Sequence, residues 1–237
     1  MHESQNQLIA LLPVRDQARL TKQCERVHLE LNHIIFEPGE DLQHVYFPLQ
    51  AFISLLAVET PDALLEVGMT GREGMLGVHT MLGVAQAPQR ALVQGAGLSL
   101  RLSAAAFQAE LLLSPALRLV MRRFVHVSMQ QLATSALCMR FHLLGPRLAR
   151  WLLMTHDRAG HDRFRVTQEF LSAMLGMRRV GVNAAAMSLQ ERGLIDYRRG
   201  DMHVRDRAGL EQASCSCYAN NQQAYKAQLS APIKLPK

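Results

Sequence analysis

The chain has 237 residues, 49% of them apolar, enough for one large or two small domains with a real core. No apolar run approaches the ~18 residues of a membrane-spanning helix. Met1-His2-Glu3-Ser4-Gln5 lacks the basic start and apolar stretch of a secretory signal, so a cytoplasmic protein without a membrane partner is expected.

The net charge of +6 is unevenly spread. Residues 1–139 carry 10 Lys/Arg against 12 Asp/Glu, whereas residues 140–210 carry 13 against 7, and all 13 are arginine. Arginine forks match phosphate oxygens and guanine edges in shape. A basic block of this kind fits a nucleic-acid surface and equally fits an ordinary solvated one.

The first ~25 residues read as helical, with Leu8, Leu11, Leu12 and Leu20 on partly regular spacing. From about Val27 to Leu102 the pattern changes to short apolar runs broken by turn signals. Ile34-Ile35-Phe36 precedes the turn-forming Glu37-Pro38-Gly39-Glu40. Val45-Tyr46-Phe47 and Phe52-Ile53-Ser54-Leu55-Leu56 read as strands. Pro61-Asp62 punctuates, and Leu64-Leu65-Glu66-Val67, Ala91-Leu92-Val93 and Leu98 to Leu102 complete the set. Regular short strands with such breaks predict a small antiparallel barrel or roll.

Ala104–Leu113 reads as a short helix, and Pro115 is placed to open a long one. Leu117, Val120, Phe124, Val127, Gln131, Thr134 and Cys138 then alternate three- and four-residue steps, a coiled-coil-like seam. Two readings fit it: an amphipathic helix packed on its own barrel, or a helix that pairs with a second copy. The length of the pattern favours a dimer interface at Leu117, Val120, Phe124, Val127 and Gln131. Gly145-Pro146 marks a break or a first turn, and Leu148, Trp151, Leu152 and Leu153 give the next helix an apolar face.

The most specific pattern follows. Thr167 is a good N-cap, and Glu169 puts negative charge in the first turn. Phe170, Leu171, Met174 and Leu175 make an apolar face, and Gly176 suits a left-handed C-cap. A second helix, about residues 178–192, begins within two residues, with Val182, Ala186 and Leu189 on one face and Gly193 closing it. Two short helices around a tight glycine turn predict a helix-turn-helix. Arg178 and Arg179 stand where the helix dipole is positive and where Ser, Asp or Glu would stabilise better. They make sense opposite an anion, with Asn183 in reach of the same groove. A hairpin over residues 194–206 turns at Arg198-Arg199-Gly200-Asp201, a wing whose tip arginines suit a phosphate backbone.

Cys24, Cys138, Cys215 and Cys217 match no common zinc or iron–sulfur spacing, and disulfides are not expected in the cytosol. No metal site is expected and no cofactor is identified. His28, His33 and His44 need not converge, and the 12 methionines read as core filler. The tail after Cys217 is polar and Pro/Lys-tipped, and is expected to be disordered. There is no nucleophile elbow, no phosphate-cradling loop before a helix and no metal-spaced His/Glu set, so an enzyme is not expected.

On Val166-Thr167-Gln168-Glu169-Phe170-Leu171-Ser172-Ala173-Met174-Leu175-Gly176-Met177-Arg178-Arg179-Val180-Gly181-Val182, and on the order of elements over roughly residues 25–215, the chain resembles the Crp/Fnr family of bacterial transcription regulators. The resemblance implies an α+β chain divided at residues 1–113 (N-terminal helix and a cyclic-nucleotide-binding-like jelly-roll β-roll), 114–139 (long dimerisation helix), 140–217 (winged helix-turn-helix) and 218–237 (tail). It also implies a homodimer that reads a near-palindromic double-stranded DNA site and contacts RNA polymerase. The expected DNA contacts are Thr167, Gln168, Arg178, Arg179, Asn183, Arg198 and Arg199.

By the family pattern Arg179 takes the guanine-reading position. Val180 and Ala184 replace a glutamate and a second arginine, so the usual family target does not carry over. Gly77-Val78 and Gln89-Arg90 fall where cyclic-AMP-binding members hold ribose and phosphate. The sugar-binding carboxylate is lost there and the arginine is absent or shifted, so regulation by cyclic AMP is not expected. An unknown small-molecule effector would have Gly71, Glu73, Gly74, Gln89 and Arg90 as its pocket, though Gly71 to Gly74 also reads as a plain glycine-rich turn. The N-terminal cysteine cluster of oxygen-sensing relatives is missing. The alternative reading is a small-molecule sensor whose DNA module has lost or altered its specificity.

Overall fold

A computed structural model describes residues 5–60 and 63–231. Met1 to Ser4, the expected punctuation at Pro61-Asp62 and the Pro/Lys tip from Pro232 onward lie outside the described residues. The chain forms two compact units. One takes in Met1–Leu55, Met69–Gln130 and Ala224–Lys237, and the other Leu56–Gly68 and Gln131–Gln223.

The first unit is built on the roll. The strands of the roll are β1 (Glu25–Leu29), β2 (Ile34–Phe36), β3 (His44–Pro48), β4 (Phe52–Thr60), β5 (Ala63–Thr70), β6 (Arg90–Gly95) and β7 (Gly97–Ser103), of which β4 from Leu56 and β5 as far as Gly68 belong to the second unit. They form one sheet in the order β1-β7-β3 and another in the order β2-β6-β4-β5. The pairings of β7 with β1 and β3 are antiparallel, from Glu25 opposite Arg101 and from His44 opposite Ser103. Period-2 alternation sends Val45 and Phe47 of β3 inward, with Ala91 and Val93 of β6 and Leu100 and Leu102 of β7.

The expected N-terminal helix is two helices, α1 (Gln7–Ala10) and α2 (Val14–Lys22). Asn6, fully buried, accepts from the amides of Leu8 and Ile9 and donates to the carbonyls of Pro48 and Gly74. A buried amide is tolerated when its donors and acceptor are filled in this way. Glu110 of α3 (Ala104–Leu113) is also buried, and Arg19 and Gln23 satisfy it at 2.8 and 2.7 Å.

Pro115 does open a long helix, α4 (Pro115–Phe141). The seam expected to face a second copy instead faces inward. Leu117, Val120, Phe124 and Val127 are buried in the first unit's own core beside Phe47, Leu76 and Phe107, while Gln131 is half-buried. A residue already enclosed by its own roll is not available to a partner, so these four are core positions and not a dimer interface. The apolar face left outward is a different one. Met129, Leu132, Ala136, Met139 and Leu143 are exposed at steps of three and four, continuing from the half-buried Val125.

The second unit contains α5 (Leu144–Ala159), β8 (Arg163–Arg165), α6 (Gln168–Leu175), α7 (Arg179–Glu191), β9 (Ile195–Arg198), β10 (Asp201–Val204), α8 (Arg207–Ala213) and the start of α9 (Cys217–Leu229). Leu148, Trp151, Leu152 and Leu153 of α5 are its core, against which α7 and α8 pack. The strands form an antiparallel sheet in the order β8-β10-β9.

The tail expected to be disordered after Cys217 is α9 as far as Leu229. Its polar composition hid the contacts that order it. Tyr218 donates to Asp157 at 2.9 Å, Gln222 donates to the same carboxylate at 3.0 Å, and Arg207 bridges Asp157 at 2.7 Å. Burial, and then the Asp157 charge, push the Tyr218 phenol up to about 12, against an ordinary value near ~10.

The fold therefore favours the neutral phenol. Its contribution is complete below about pH 10 and is lost as pH rises through the folded-state value. Alkaline difference absorbance should show a tyrosine titrating at about 12 that is missing in Tyr218→Phe. An unchanged titration curve in that variant would contradict the network.

Candidate nucleic-acid interface

Local chemistry fixes α6 and α7 before any packing is considered. Thr167 is extended, and its Oγ1 accepts from the Phe170 amide at 3.1 Å, filling one donor that the helix leaves open. Gly176 ends α6 in the left-handed region at φ 61°, where its amide reaches Ala173 and the Met177 amide reaches Ser172. Arg147 donates to the Leu175 carbonyl at 2.6 Å, a cation at the negative end of α6. The tight turn then starts α7 with Arg178 as its N-cap.

Arg178 makes no side-chain cap bond. One face of α7 is spent on the core, with Val182, Ala186 and Leu189 buried. The opposite face is open. Arg178, Arg179, Asn183 and Ala184 are exposed, Val180 is 82% exposed and Met187 is 52% exposed. Gln168 of α6 donates to Asn183 at 2.8 Å, so two of the expected contact residues are joined across the turn. Arg179 stands alongside Asn183, four residues away and on the same face.

The wing is a two-residue hairpin. Arg199 at φ 50° and Gly200 at φ 86° both take positive φ between the paired Arg198 and Asp201, the conformation of a type I′ turn. Asn or Gly is usual at the first of these positions, and a bulky residue there costs about 1–2 kcal/mol. Arg198 and Arg205 both pair with Asp196, at 3.2 and 3.0 Å, and the Arg205 hydrogen bond holds that carboxyl below its ordinary range. The Tyr197 hydroxyl donates to the Val166 carbonyl at 2.8 Å, and its amide donates to Gln190 at 2.7 Å. Two hydrogen bonds thereby tie the wing to the entry of α6 and to α7.

Residues 146–213 match the family model of the Crp-like helix-turn-helix domain. The second unit carries a Crp-like helix-turn-helix. Solved structures extend the likeness to the fold of most of the chain. A c-di-GMP-responsive global regulator, CLP of Xanthomonas campestris, is 16% identical with a TM-score of 0.66, covering 81% of this chain and 99% of that one. FixK2 of Bradyrhizobium japonicum is 11% identical with a TM-score of 0.69, covering 81% and 98%. A transcriptional regulator of the Crp/Fnr family from Eubacterium rectale is 14% identical with a TM-score of 0.67, covering 87% and 96%. A search of the curated proteins gave no match. The chain thus has the Crp/Fnr regulator fold, an N-terminal β-roll and a long helix followed by a C-terminal helix-turn-helix.

Within the Crp-like domain, sequence reasoning missed the face of the wing sheet. Arg163, Arg165, Arg198 and His203 line a groove of about 490 Å³ together with Asp196 and Asp201. The signal was present in Arg163-Phe164-Arg165, where the two charges flank an apolar residue at period 2. Asp201 pairs with Arg165 at 3.5 Å, and both are exposed.

The residues expected to hold an effector lie in the first unit and engage their own surroundings. Glu73 Oε1 accepts from the Gly71 amide at 3.1 Å, and the Gly74 amide closes on the Gly71 carbonyl at 3.0 Å, so the loop is a self-bonded turn. Arg90, the first residue of β6, pairs with Glu37 at 2.8 Å. Gln89 precedes it. No cofactor was assigned from sequence, yet among the described residues Cys138, His142, Cys215 and Cys217 come together as a set able to hold a metal ion.

Proposed function

We propose that the protein is a sequence-specific DNA-binding transcription regulator that acts as a homodimer. In this reading the exposed face of α7 enters the major groove and the wing rides on the phosphate backbone. The observation that carries it is a pair of arginines at positions that helix and turn chemistry disfavour. Arg178 caps α7 without a side-chain bond, and Arg199 holds a left-handed conformation at the wing tip. Local stability is given up at both places to present a cation outward, which is intelligible if a polyanion faces them.

Each exposed group then has a role. Arg179 forks onto a guanine edge, Asn183 reads an adenine, and Thr167 and Gln168 contact phosphate or base beside it. Val180, with Ala184 next to it, offers an apolar contact suited to a thymine methyl group. Arg198 and Arg199 hold the backbone. Such a regulator would work in the cytoplasm and meet RNA polymerase at its promoter.

Selection from a random DNA pool should enrich one motif with two-fold symmetry. Arg179→Ala should weaken binding to that motif by about 1–3 kcal/mol and relax the preference at one base pair per half-site. An intact dimer that enriches no motif at moderate salt, or an Arg179→Ala variant with unchanged preference, would contradict the reading.

For the homodimer, the face that supports pairing is Met129, Leu132, Ala136 and Met139, exposed and in coiled-coil register. Leu132→Glu should shift the molar mass measured by light scattering from dimer to monomer while the helical circular dichroism is kept. A dimer that survives this change would place the contact elsewhere.

Cyclic AMP is not the expected effector, because Arg90 is already paired with Glu37 and Glu73 with its own loop. Calorimetry should detect no cyclic-AMP binding, and micromolar affinity would refute this part of the proposal.

A further inference from the structure

Three thiols and one imidazole meet in the second unit. The Sγ atoms of Cys138, Cys215 and Cys217 and a ring nitrogen of His142 all lie within 4.8 Å of one another. Cys138 and Cys215 approach to 3.5 Å between sulfurs, and Cys217 Sγ is 3.5 Å from His142 Nδ1. All three cysteines are buried, at 2%, 7% and 1% exposure, His142 is half-buried, and no disulfide joins any of them.

Backbone structure sets this meeting. Cys138 lies on the last turn of α4, and the His142 amide continues the helical pattern by donating to the Cys138 carbonyl at 3.1 Å. The spacing of four residues stacks the two side chains. Cys215 sits between α8 and α9, its amide donating to Pro146 at 3.3 Å, and Cys217 begins α9.

We propose that these four residues bind one Zn²⁺ ion in a tetrahedral Cys₃His site. Zinc–sulfur bonds of about 2.3 Å and zinc–nitrogen bonds of about 2.0–2.1 Å put ligand atoms roughly 3.5–3.8 Å apart along the edges of a tetrahedron. The two close pairs already have about that separation. Three sulfurs and one imidazole form the soft, closed ligand set of a structural zinc site, with no open position for substrate. An iron–sulfur cluster would spread its ligands over two or more irons, farther apart than this group is. A disulfide between Cys138 and Cys215 would leave Cys217 and His142 gathered there without a reason.

Charge supports the same conclusion. Three thiolates around a dication carry one net negative charge. Arg150 lines the same cavity of about 40 Å³ as Cys138. It donates to Ser135 at 3.3 Å, while its buried Nε has no hydrogen-bond partner. A guanidinium so placed offsets the surplus charge of the loaded site.

The ion would join the chain just before the Crp-like domain to the chain just after it. That role does not depend on whether the domain binds DNA.

The test is the metal content of the full chain purified under reducing conditions. Inductively coupled plasma mass spectrometry should find about one zinc per chain. Chelation followed by cobalt(II) should give the intense thiolate-to-cobalt absorption and the visible bands of a tetrahedral site. Cys138→Ser and Cys217→Ser should each lose most of the zinc, and Cys24→Ser, which alters a cysteine of the first unit, should keep it. The cobalt titration of the unmodified chain decides the matter if a variant fails to fold. A folded, reduced chain that takes up neither zinc nor cobalt would overturn the proposal. So would a two-hydrogen mass deficit mapped to Cys138 and Cys215 in protein isolated under non-reducing conditions with no bound metal, or equal metal loss in Cys24→Ser.

Discussion

The burial of one stripe of α4 fixes which face of that helix is left outward. Leu117, Val120, Phe124 and Val127 close the core of the roll, so the first half of the helix is fastened to its own unit. A helix turns its faces at 3.6 residues per turn, so committing one stripe fixes which stripe looks outward. Met129, Leu132 and Met139 are left on the outside by that commitment. Hydrophobic side chains there gain nothing from their own roll, and their three- and four-residue spacing matches that of a helix that pairs. Toward its C-terminal end the same helix supplies Cys138, and His142 follows directly, so one element serves core, outer face and ligand cluster in succession.

The Crp-like domain separates its stability from its chemistry in a similar way. Stability is handled by groups that face inward or along the chain: the Thr167 cap, the glycine turn at 176, the Arg147 contact at the end of α6, and the two hydrogen bonds of Tyr197. These leave the outer residues of α7 free of structural duty, so that Arg178, Arg179 and Asn183 are held in place by a scaffold they do not themselves maintain. Thr167 and Gln168 stand apart from this division, since Thr167 caps α6 and Gln168 donates to Asn183 directly. Exposed surface ion pairs such as Arg165 with Asp201 contribute little to stability.

Much of this was legible in the sequence, for identifiable reasons. The strands of the roll declared themselves by apolar runs between glycine and proline turns, α6 by Thr167 and Gly176 at its two ends, and α7 by its apolar spacing and the closing Gly193, because these signals are local. The long-helix seam was read at the right period and assigned to the wrong partner. Periodicity states that a face is buried without stating what buries it. The order of α9 was hidden because its anchors, Asp157 and Arg207, lie elsewhere in the chain and look like ordinary surface charges. The cysteine cluster was illegible for the same cause. Cys138 and His142 have a spacing of four, and Cys215 and Cys217 of two, but only the fold brings the pairs together. The self-bonded loop at Gly71 to Gly74 and the Arg90–Glu37 pair are likewise products of the fold, since a free and a satisfied carboxylate are written with the same letter.

The approach of Cys215 to Pro146 and Cys138 has one more consequence. The polypeptide enters the Crp-like domain and leaves it at nearly the same place, with the Cys215 amide bonded to the Pro146 carbonyl. A module whose ends meet can be grafted into a host loop without stretching it, and its ends can be joined and new ones opened elsewhere by circular permutation. For this domain such a block would have to run on through Gln222, because Cys215 bonds Pro146, and Tyr218 and Gln222 of α9 hold Asp157.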